Sequence, residues 1–515
     1  GVLNDKGDVL TLLDRIAHHT TTGLSTVEMA SKHAEKINTE FKKFFDNSSL
    51  KYKSYVLQGP KDKIESLKSL LDKHDIKYGN ASPETISGFN YANAAKGSIK
   101  TSENDLVVST NQPKGKMVKV LFEPQTKLKD SVTYDNTAWS IPYAYGLQAI
   151  ASEKLVKSNP VKEIALNNKT ATGYIVNWNH LKDAAFLAHV LKQNIKIRFT
   201  EKPLKAEGKS FNRGSLIIIR GDNKKITDFD NILLKAATEF NRELHPIQSG
   251  FSASGPDFGS PDIKLVNKQK IAMLSGEGVS SGSYGALWHF FEKQLNYPIV
   301  SINTDDFSGI DLNKYHVLIM PNGNYKSLLN EKGLEKVQSW VKKGGKVIAI
   351  SDAVSAFANK EGLNIKTSKT EDEVKKEKDT INLISYGDRE REAIKKQVSG
   401  AIFKAKIDNT HPLAFGYGDN YFTFKLGSGS YKLLSGNNYN ISYLSKTPEK
   451  VSGFAGSEAV KELKNSLVFG EERQGKGSII YMVDDVMYRS FWENGKLFLV
   501  NAIFFVNSDA FSYEN

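Results

Sequence analysis

Short apolar runs alternate with amphipathic helical stretches along most of this 515-residue chain. LIII at 216–219 has the length of a strand, whereas NHLKDAAFLAHVLKQ at 179–193 carries apolar residues at helical spacing. This alternation is typical of βαβ units, in which helices cover a largely parallel sheet. Because one hydrophobic core stops growing at about 250–300 residues, the sequence predicts an α/β protein of several domains.

Two stretches of the chain repeat one order of elements. Within 51–158 the order is strand, helix, strand, intervening segment, strand, read from KSYVLQG, PKDKIESLKSLLDKH, DIKYGNA and DLVVSTNQP. Within 159–262 it recurs as TGYIVNW, NHLKDAAFLAHVLKQ, NIKIRFT and SLIIIRGDN. Self-similarity of this kind indicates a duplicated unit. We predict two related smaller α/β modules, each with a largely parallel sheet.

A further domain is predicted over 263–515, after the Gly-, Ser- and Pro-rich boundary GFSASGPDFGSPDIKLV. The buried runs KIAMLSG, IVSIN, KYHVLIMPNG and VIAISDA alternate with helical stretches, as in a flavodoxin-like, doubly wound parallel sheet. Charged text at about 360–400 predicts a solvated insertion. The ending FWENGKLFLVNAIFFVN predicts a helix that packs on the sheet.

Residues 1–50 predict a linker and one helix. The helix is expected in LSTVEMASKHAEKINTEFKKFF, with Ser25 as N-cap and Glu28 completing a capping box. His18 and His19 precede it, and neighbouring positions point apart on a helix or strand, so we expect no shared metal ion. Gly1 is not a natural initiator and no signal-peptide pattern follows it, so we expect a fragment of a longer protein.

The turn GEGVSSGSYG, between a predicted strand and helix, is the best candidate for ligand binding. Its glycines allow close backbone approach, and the following helix N-terminus could hold an anion. We assign Glu277, Gly278, Ser280 and Ser281 as candidate ligand contacts, together with Asp352 at the end of a later strand. The alternative is a structural tight turn with serine caps. The turn lacks the pattern of a phosphate-binding loop or a dinucleotide fingerprint.

No catalytic residue is assigned. The chain contains no cysteine, which excludes disulfides, thiolate metal sites and a thiol nucleophile. Ser351, Asp352 and Ser355 lie where a strand-to-helix elbow would place a nucleophile, but the Gly-x-Ser-x-Gly pattern is missing and no histidine lies near with a carboxylate partner. A serine hydrolase that uses this elbow is therefore the weaker hypothesis.

Two groups of acidic residues and histidines are candidate metal sites. Asp484 and Asp485 beside Arg489 could bind a metal or act as acid and base, although a helix cap and a salt bridge are commoner. His289 and Glu292 have the spacing of a zinc pair but lie in an amphipathic helix, where a surface pair is commoner.

A further hypothesis is a zinc site built from histidines scattered along the sequence, such as His18, His289 and His411. No residue of this chain is assigned as a metal ligand.

An aromatic segment separates the two repeats. In FEPQTKLKDSVTYDNTAWSIPYAYGLQAIA, Trp139, Tyr143 and Tyr145 could line a pocket with Asp130 and Asp135 as polar anchors. The alternative is that these aromatic residues pack between the two modules.

Charge and hydropathy argue against nucleic acid and membrane as partners. The net charge of +12 arises from 70 basic and 58 acidic residues that intermix, which favours a solvated surface over nucleic-acid binding. No run of about 18 apolar residues is present, so we predict no membrane span.

Four segments together resemble one bacterial family. They are DSVTYDNTAWSIPYAYGL, KIAMLSGEGVSSGSYGALWHFFE, DNTHPLAFGYGD and VDDVMYRSFWENGKLFLVNAIFF. This combination resembles the carboxypeptidase A-type zinc carboxypeptidases, in the region that follows the peptidase domain and includes a class I glutamine-amidotransferase-like domain. The resemblance implies that zinc and the catalytic residues belong to the missing peptidase domain. It also implies export to the periplasm or the cell exterior.

These observations predict a non-catalytic accessory or scaffolding region of a zinc metallocarboxypeptidase. Its expected partners are the protein's own N-terminal peptidase domain and a peptide or glycan substrate. The alternative is an independent hydrolase or small-ligand-binding domain that uses the turn from Gly278 to Ser281.

Overall fold

The computed structural model describes residues 1–3, 7–126, 136–159, 171–370, 372–373, 375, 383–427 and 429–507. Strands β1 (Val2–Leu3) and β2 (Val9–Leu10) form a small antiparallel pair, followed by helices α1 (Leu12–Lys32) and α2 (Ala34–Phe44). Neither helix buries a residue.

The start of the first helix differs from the prediction. Thr11 is its N-cap: the Asp14 backbone N–H donates to Thr11 Oγ1 at 3.2 Å, and the Thr11 N–H donates to Asp14 Oδ2 at 2.9 Å. This reciprocal pair is the capping box. Ser25 lies inside α1, so its assignment as the N-cap was wrong.

The first module is one seven-stranded sheet with helices. Its strands run in the order β6–β5–β8–β3–β7–β4–β9, and all adjacent pairs are antiparallel. The elements are β3 (Ser54–Gln58), α3 (Lys61–Lys73), β4 (Tyr78–Ala81), β5 (Thr85–Asn90), β6 (Ala95–Lys100), β7 (Leu106–Ser109), α4 (Gly115–Phe122), α5 (Ile141–Tyr145), β8 (Gln148–Ser152) and β9 (Ser158–Asn159).

The second module is a five-stranded sheet in the order β15–β10–β14–β11–β16, again with antiparallel neighbours. A separate hairpin, β12–β13, extends from it. The elements are β10 (Gly173–Val176), α6 (Leu181–Lys192), β11 (Ile197–Thr200), β12 (Leu204–Ala206), β13 (Lys209–Phe211), β14 (Leu216–Ile219), α7 (Phe229–Glu239), β15 (His245–Ile247) and β16 (Ile263–Val266).

The two modules share one topology. The order β8–β3–β7–β4 of the first recurs as β15–β10–β14–β11 in the second. Strands β3 and β4, joined by α3, run in the same direction, but β7 lies between them and runs the opposite way. The βαβ units are therefore split by an inserted strand. For this reason the prediction of largely parallel sheets in the modules was wrong.

The second module also extends further than predicted. Strand β16 pairs with β11, with Ile197 opposite Val266 and Thr200 opposite Ile263. The predicted boundary at 262 thus falls just before a strand that hydrogen-bonds to this module.

The carboxyl-terminal domain contains a ten-stranded mixed sheet. Its elements are β17 (Ile271–Ser275), α8 (Ser281–His289), which continues as a π-helical segment (Phe290–Leu295), β18 (Val300–Asn303), β19 (Val317–Met320), α9 (Glu331–Lys342), β20 (Lys346–Ile350), α10 (Arg389–Ile394), β21 (Val398–Ile407), β22 (Asn420–Lys425), β23 (Tyr439–Tyr443), β24 (Glu449–Ala455), α11 (Ser457–Glu462), β25 (Leu467–Gln474), β26 (Gly477–Met482) and α12 (Lys496–Phe504).

One half of this sheet is parallel. Strands β18–β17–β19–β20–β26 are all parallel neighbours, and this order is the flavodoxin-like arrangement predicted. The sheet then continues through antiparallel strands β25, β23, β21 and β22, and β24 pairs with β21. Helix α10 lies within the predicted charged insertion and buries only Ile394.

The aromatic segment joins the first module to the carboxyl-terminal domain. Tyr143 and Tyr145 are buried, and the Tyr143 ring lies 4.8 Å from that of Phe422 in β22. Trp139 is half-buried and its Nε1 donates to the Val120 carbonyl at 2.7 Å. Helix α5, which carries Tyr143 and Tyr145, thus lies at the junction with the carboxyl-terminal domain, so both the pocket and the position between the two modules were wrong for these two residues. Trp139 hydrogen-bonds within the first module. The predicted anchors Asp130 and Asp135 lie outside the described residues.

Helix α12 is buried along its whole length. It contacts α6 of the second module, and its Asn501 accepts a hydrogen bond from Trp178 Nε1 at 2.9 Å. The predicted final helix therefore packs on the second module as well as on its own domain. Among the helices of the described ranges, none is both long and apolar enough to cross a membrane.

Candidate functional site

A cavity of about 800 Å³ lies at the carboxyl ends of strands β17, β19, β20 and β26. The chain order of the parallel strands reverses between β17 and β19, and open α/β sheets bind ligands in the crevice at such a switch point. The cavity is lined by Ser280, Gly282, Ser283, Gly285, Ala286, His289, Asn322, Ser351, Asp352, Phe424, Leu426, Gly427, Val483, Asp484, Asp485, Tyr488, Arg489 and Ser490.

Only part of the predicted turn reaches this cavity. Ser280 lines it and is the N-cap of α8, with Oγ accepting from the Ser283 N–H at 3.4 Å. Glu277, Gly278 and Ser281 are exposed and are not among the lining residues. Their assignment as ligand contacts therefore stays a prediction, and it does not apply to this cavity.

Gly278 has a structural role instead. Its φ is +81°, and its carbonyl accepts from the Asn324 N–H at 2.8 Å. A Cβ at this position would lie 2.6 Å from the Asn324 carbonyl oxygen, so the turn requires glycine here.

Asn322, which sequence reasoning missed, connects three loops at the cavity. Its N–H donates to Ser283 Oγ at 3.1 Å, its carbonyl accepts from the Ser280 N–H at 2.9 Å, and its Oδ1 accepts from the Asp352 N–H at 3.1 Å. The predicted residues Ser280 and Asp352 are thereby held at one site. The signal in the sequence was its place after the buried run VLIM.

The backbone at the end of β20 has an unusual conformation. Ser351 has φ of +54° and is the first residue of a 3-10 helix, Ser351–Ala356. Left-handed conformations are costly for residues other than Gly, Asn and Asp, and such strain concentrates at functional sites. Ser351 lines the cavity, whereas Ser355 does not.

A second strained segment faces the same cavity. Arg489 and Ser490 have φ of +47° and +61°. The Arg489 side chain is exposed, and its guanidinium lies 5.4 Å from the centre of the Tyr488 ring. It forms no ion pair with the described residues. Arg489 lines the same cavity as Asp484 and Asp485, which confirms that they are near one another but not that they form a salt bridge.

The acidic pair that follows β26 has two different environments. Asp484 is buried, accepting from Lys425 Nζ at 2.8 Å and from Thr423 Oγ1 at 2.6 Å. Its salt bridge is thus with Lys425 and not with the adjacent arginine. Burial raises the pKa of the half-buried Asp485 to about 6, and the nearby Asp484 charge adds to this, while the Met487 N–H opposes it. Asp485 can therefore exchange a proton near neutral pH.

The histidines considered for zinc lie apart. His289 lines the cavity, whereas Glu292 accepts from Trp288 Nε1 at 2.8 Å and pairs with Lys293 at 2.8 Å. His18 is exposed on α1.

His411 is buried, with its Nε2 2.9 Å from Glu471 Oε2. Within the described ranges, no group of three histidine or acidic side chains could hold a metal ion. The site built from scattered histidines was therefore wrong for these residues.

Comparison with known proteins gives no family for this chain. No family model matches it and no curated protein matches it. The resemblance to zinc carboxypeptidases therefore stays a prediction.

Several solved structures resemble part of the chain. A cytoplasmic protein from Salmonella typhimurium is 14% identical, with 46% of this chain and 99% of that chain covered at a TM-score of 0.27. A glutamine amidotransferase from Thermotoga maritima is 8% identical, with 43% of this chain and 76% of that chain covered at a TM-score of 0.25. A beta-galactosidase from Bacillus circulans sp. alkalophilus is 11% identical, with 44% of this chain and 30% of that chain covered at a TM-score of 0.26. At these scores none of them carries a functional argument.

Proposed function

We propose that this chain is an accessory region whose carboxyl-terminal domain binds a small polar ligand at the carboxyl edge of its parallel sheet. The observation that carries the proposal is that one cavity is lined by Ser280, Asp352 and Arg489, which follow three different strands. Convergence of polar groups in a concave site at the switch point is typical of ligand binding in this architecture.

The charged groups in the cavity favour a ligand with both a donor and an anionic group. The Asp352 carboxylate is exposed and accepts no hydrogen bond from the described residues, which leaves it available to an ammonium or hydroxyl group. Arg489 is similarly available to a carboxylate. A short peptide carries both an ammonium and a carboxylate, and a glycan offers hydroxyl groups to Asp352, so both ligand classes stay in the proposal.

The family resemblance supplies the context of this proposal. In that context the region supports a zinc carboxypeptidase domain outside the cytoplasm, and zinc is held by residues of that domain. The present chain would then present or retain the substrate rather than cleave it.

A serine hydrolase is the second candidate, because Ser351 occupies a strained strand-to-helix elbow. An activated serine needs a hydrogen-bonded base. No described residue hydrogen-bonds to the Ser351 hydroxyl. The arrangement therefore favours binding over hydrolysis.

The test is calorimetric titration of the purified chain with L-glutamine, trialanine and N-acetylglucosamine. We expect at least one of these probes to bind, and Asp352→Asn or Arg489→Met to weaken that binding at least tenfold. Asp305→Asn is the matched control, since Asp305 is an exposed carboxylate near the end of β18 that does not line the cavity.

Incubation of each probe with the wild type and with Ser351→Ala separates binding from catalysis. Cleavage of trialanine by the wild type but not by the Ser351 variant would establish the hydrolase instead. Equal binding by the Asp352, Arg489 and Asp305 variants would contradict the proposed site.

A further inference from the structure

A second cavity, of about 450 Å³, lies where both modules meet the carboxyl-terminal domain. Helix α3 of the first module and the start of α6 in the second module form two of its walls. The third wall comes from the π-helical segment, Tyr417 and the beginning of α12. Cavities of this size at domain junctions are a common location for small-molecule sites.

A buried cluster of four charges backs this cavity. Arg242 donates from its two terminal nitrogens to Asp62 Oδ1 and to Asp183 Oδ1, both at 2.6 Å. His180 Nδ1 lies 2.5 Å from Asp62 Oδ2 and 3.0 Å from Asp183 Oδ2. Asp62, Asp183 and Arg242 are more than nine-tenths buried. Desolvating this many charges is costly, and apolar residues would often stabilise the junction as well or better.

The cluster fixes the imidazole of His180 and leaves one nitrogen for a ligand. Because Nδ1 is held by the two carboxylates, the ring orientation is set. Burial opposes protonation of His180, but Asp183 and Asp62 outweigh it and raise the pKa of the imidazole. Nε2 has no partner among the described residues, and His180 lines the cavity. The protonated ring can therefore donate a hydrogen bond there.

The acidic residues of the cavity are already neutralised. Glu65 pairs with Lys68 at 2.8 Å, and Glu493 pairs with Lys496 at 2.5 Å. The four-charge cluster balances itself, with two carboxylates against one guanidinium and one imidazolium. The remaining charge of the lining residues is therefore positive.

That positive charge comes from two lysines. Lys63 Nζ donates to Asn494 Oδ1 at 2.7 Å, and burial lowers the pKa of its ammonium to about 8, with Glu493 opposing part of this decrease. Lys182 lines the same cavity and forms no ion pair with the described residues. A bound carboxylate would offset part of this positive charge through charge-assisted hydrogen bonds.

An unsatisfied acceptor adds an independent requirement. The Oε1 atom of Gln294 is buried at this cavity, yet it accepts no hydrogen bond from the described residues. Buried polar atoms in proteins are almost always hydrogen-bonded, so an orphan acceptor beside a cavity indicates a missing donor. A hydroxyl or amino group on a bound anion would satisfy this acceptor.

We propose that this cavity binds a small organic carboxylate that also carries a hydroxyl or amino donor. Lys63 Nζ and His180 Nε2 hold its carboxylate, and Gln294 Oε1 accepts from its donor group. The site is distinct from the cavity at the carboxyl edge of the parallel sheet, because the two share no lining residue.

The experiment is calorimetric titration of the whole chain with lactate, L-glutamate, glucuronate, acetate and inorganic phosphate. We expect at least one of the first three to bind, with acetate weaker because it has no donor. Lys63→Gln should reduce the affinity at least tenfold. Its amide can still donate to Asn494, so the variant is expected to fold.

Two further variants locate the interaction. His180→Asn keeps a side-chain amide that can replace Nδ1 but removes Nε2, so it should also lose affinity while retaining the native circular dichroism spectrum. Lys61→Gln is the matched control, since Lys61 is exposed on the same helix and does not line the cavity. The proposal is overturned if no carboxylate binds, if phosphate binds in preference, if acetate binds as tightly as the others, or if the Lys63 and Lys61 variants bind alike.

Discussion

Trp178 Nε1 donates a hydrogen bond of 2.9 Å to Oδ1 of Asn501, so that a loop of the second module is joined to the last helix of the carboxyl-terminal domain. The same asparagine donates from Nδ2 to the carbonyls of Leu413 and Phe415, at 2.9 and 2.8 Å. All of these atoms are in buried surroundings. One side chain thus satisfies three polar groups at this junction.

We predict that Asn501→Leu destabilises the protein by about 2–4 kcal/mol, because it leaves one indole N–H and two carbonyl oxygens unpaired in the interior. Urea unfolding followed by tryptophan fluorescence measures this. Asn437→Leu is the control, since Asn437 is exposed and its replacement should change stability by no more than about 0.5 kcal/mol. Equal effects of the two substitutions would contradict the proposed role of Asn501.

The buried Lys346 is expected to make the free energy of unfolding depend on pH. Lys346 Nζ donates to the carbonyls of Ala502 and Ile503, at 2.7 and 2.9 Å, and burial lowers the pKa of Lys346 to about 7, with Glu471 opposing part of the shift. Between about pH 7 and its ordinary value of 10.5, the unfolded chain holds more protons than the folded one. The Lys346 contribution to stability therefore rises with pH over this interval, by at most about 1.4 kcal/mol per pH unit.

Lys346→Met removes this titration, so the free energy of unfolding of the wild type should rise relative to this variant as the pH increases from 7 to 10. Lys343→Met, at an exposed position near the end of α9, should leave the wild-type dependence unchanged. Parallel pH profiles for the wild type and Lys346→Met would show that Lys346 keeps its proton in the folded state.

The contribution of His180 to stability is expected to fall, rather than rise, as the pH increases. Because its folded pKa is raised above 6.5, the stabilisation from its proton is complete below about pH 6.5 and is lost as the pH rises through the folded value. The pKa of Asp62 lies below its ordinary 3.8, since His180 and Arg242 outweigh the effect of burial, so its contribution is lost only in acid.

The stability difference between wild type and His180→Asn should therefore decrease as the pH is raised from 6.5 to 9. Thermal unfolding of both proteins at matched ionic strength measures it. A difference that stays constant over this interval would mean that His180 does not change its protonation there.

Four elements of each module could be predicted from local patterns, because their apolar runs and helical periods are short-range signals: β3, α3, β4 and β7 in the first, and β10, α6, β11 and β14 in the second. The antiparallel neighbours could not. Their pairing depends on β7 and β14 inserting between strands that are consecutive in the chain, and the apolar pattern of a buried strand does not record the direction of its neighbours.

In the candidate sites, too, the residues that could be predicted have local signals, and those that were missed come together only in the folded protein. Ser280 and Asp352 were predicted because each follows a buried strand. The cluster of Asp62, His180 and Arg242 was missed, since Asp62 and Arg242 are 180 residues apart in sequence and come together only through the docking of two modules. No local motif connects such residues.

The turn before α8 provides the last prediction. Gly278 has φ of +81°, its neighbour Val279 forms an isolated bridge with Gly323, and a methyl group at residue 278 would lie 2.6 Å from the Asn324 carbonyl oxygen. Gly278→Ala is therefore expected to cost about 1–3 kcal/mol and to displace Ser280 at the cavity. Thermal unfolding measures the first effect, and titration with the probe that binds the wild type measures the second. Gly259→Ala is the control, because its backbone conformation is ordinary and no atom lies within 4 Å of the added methyl group. If the Gly278 variant kept both the stability and the affinity of the Gly259 variant, the turn would not position Ser280, and the cavity would have to bind its ligand through Asp352 and Arg489 alone.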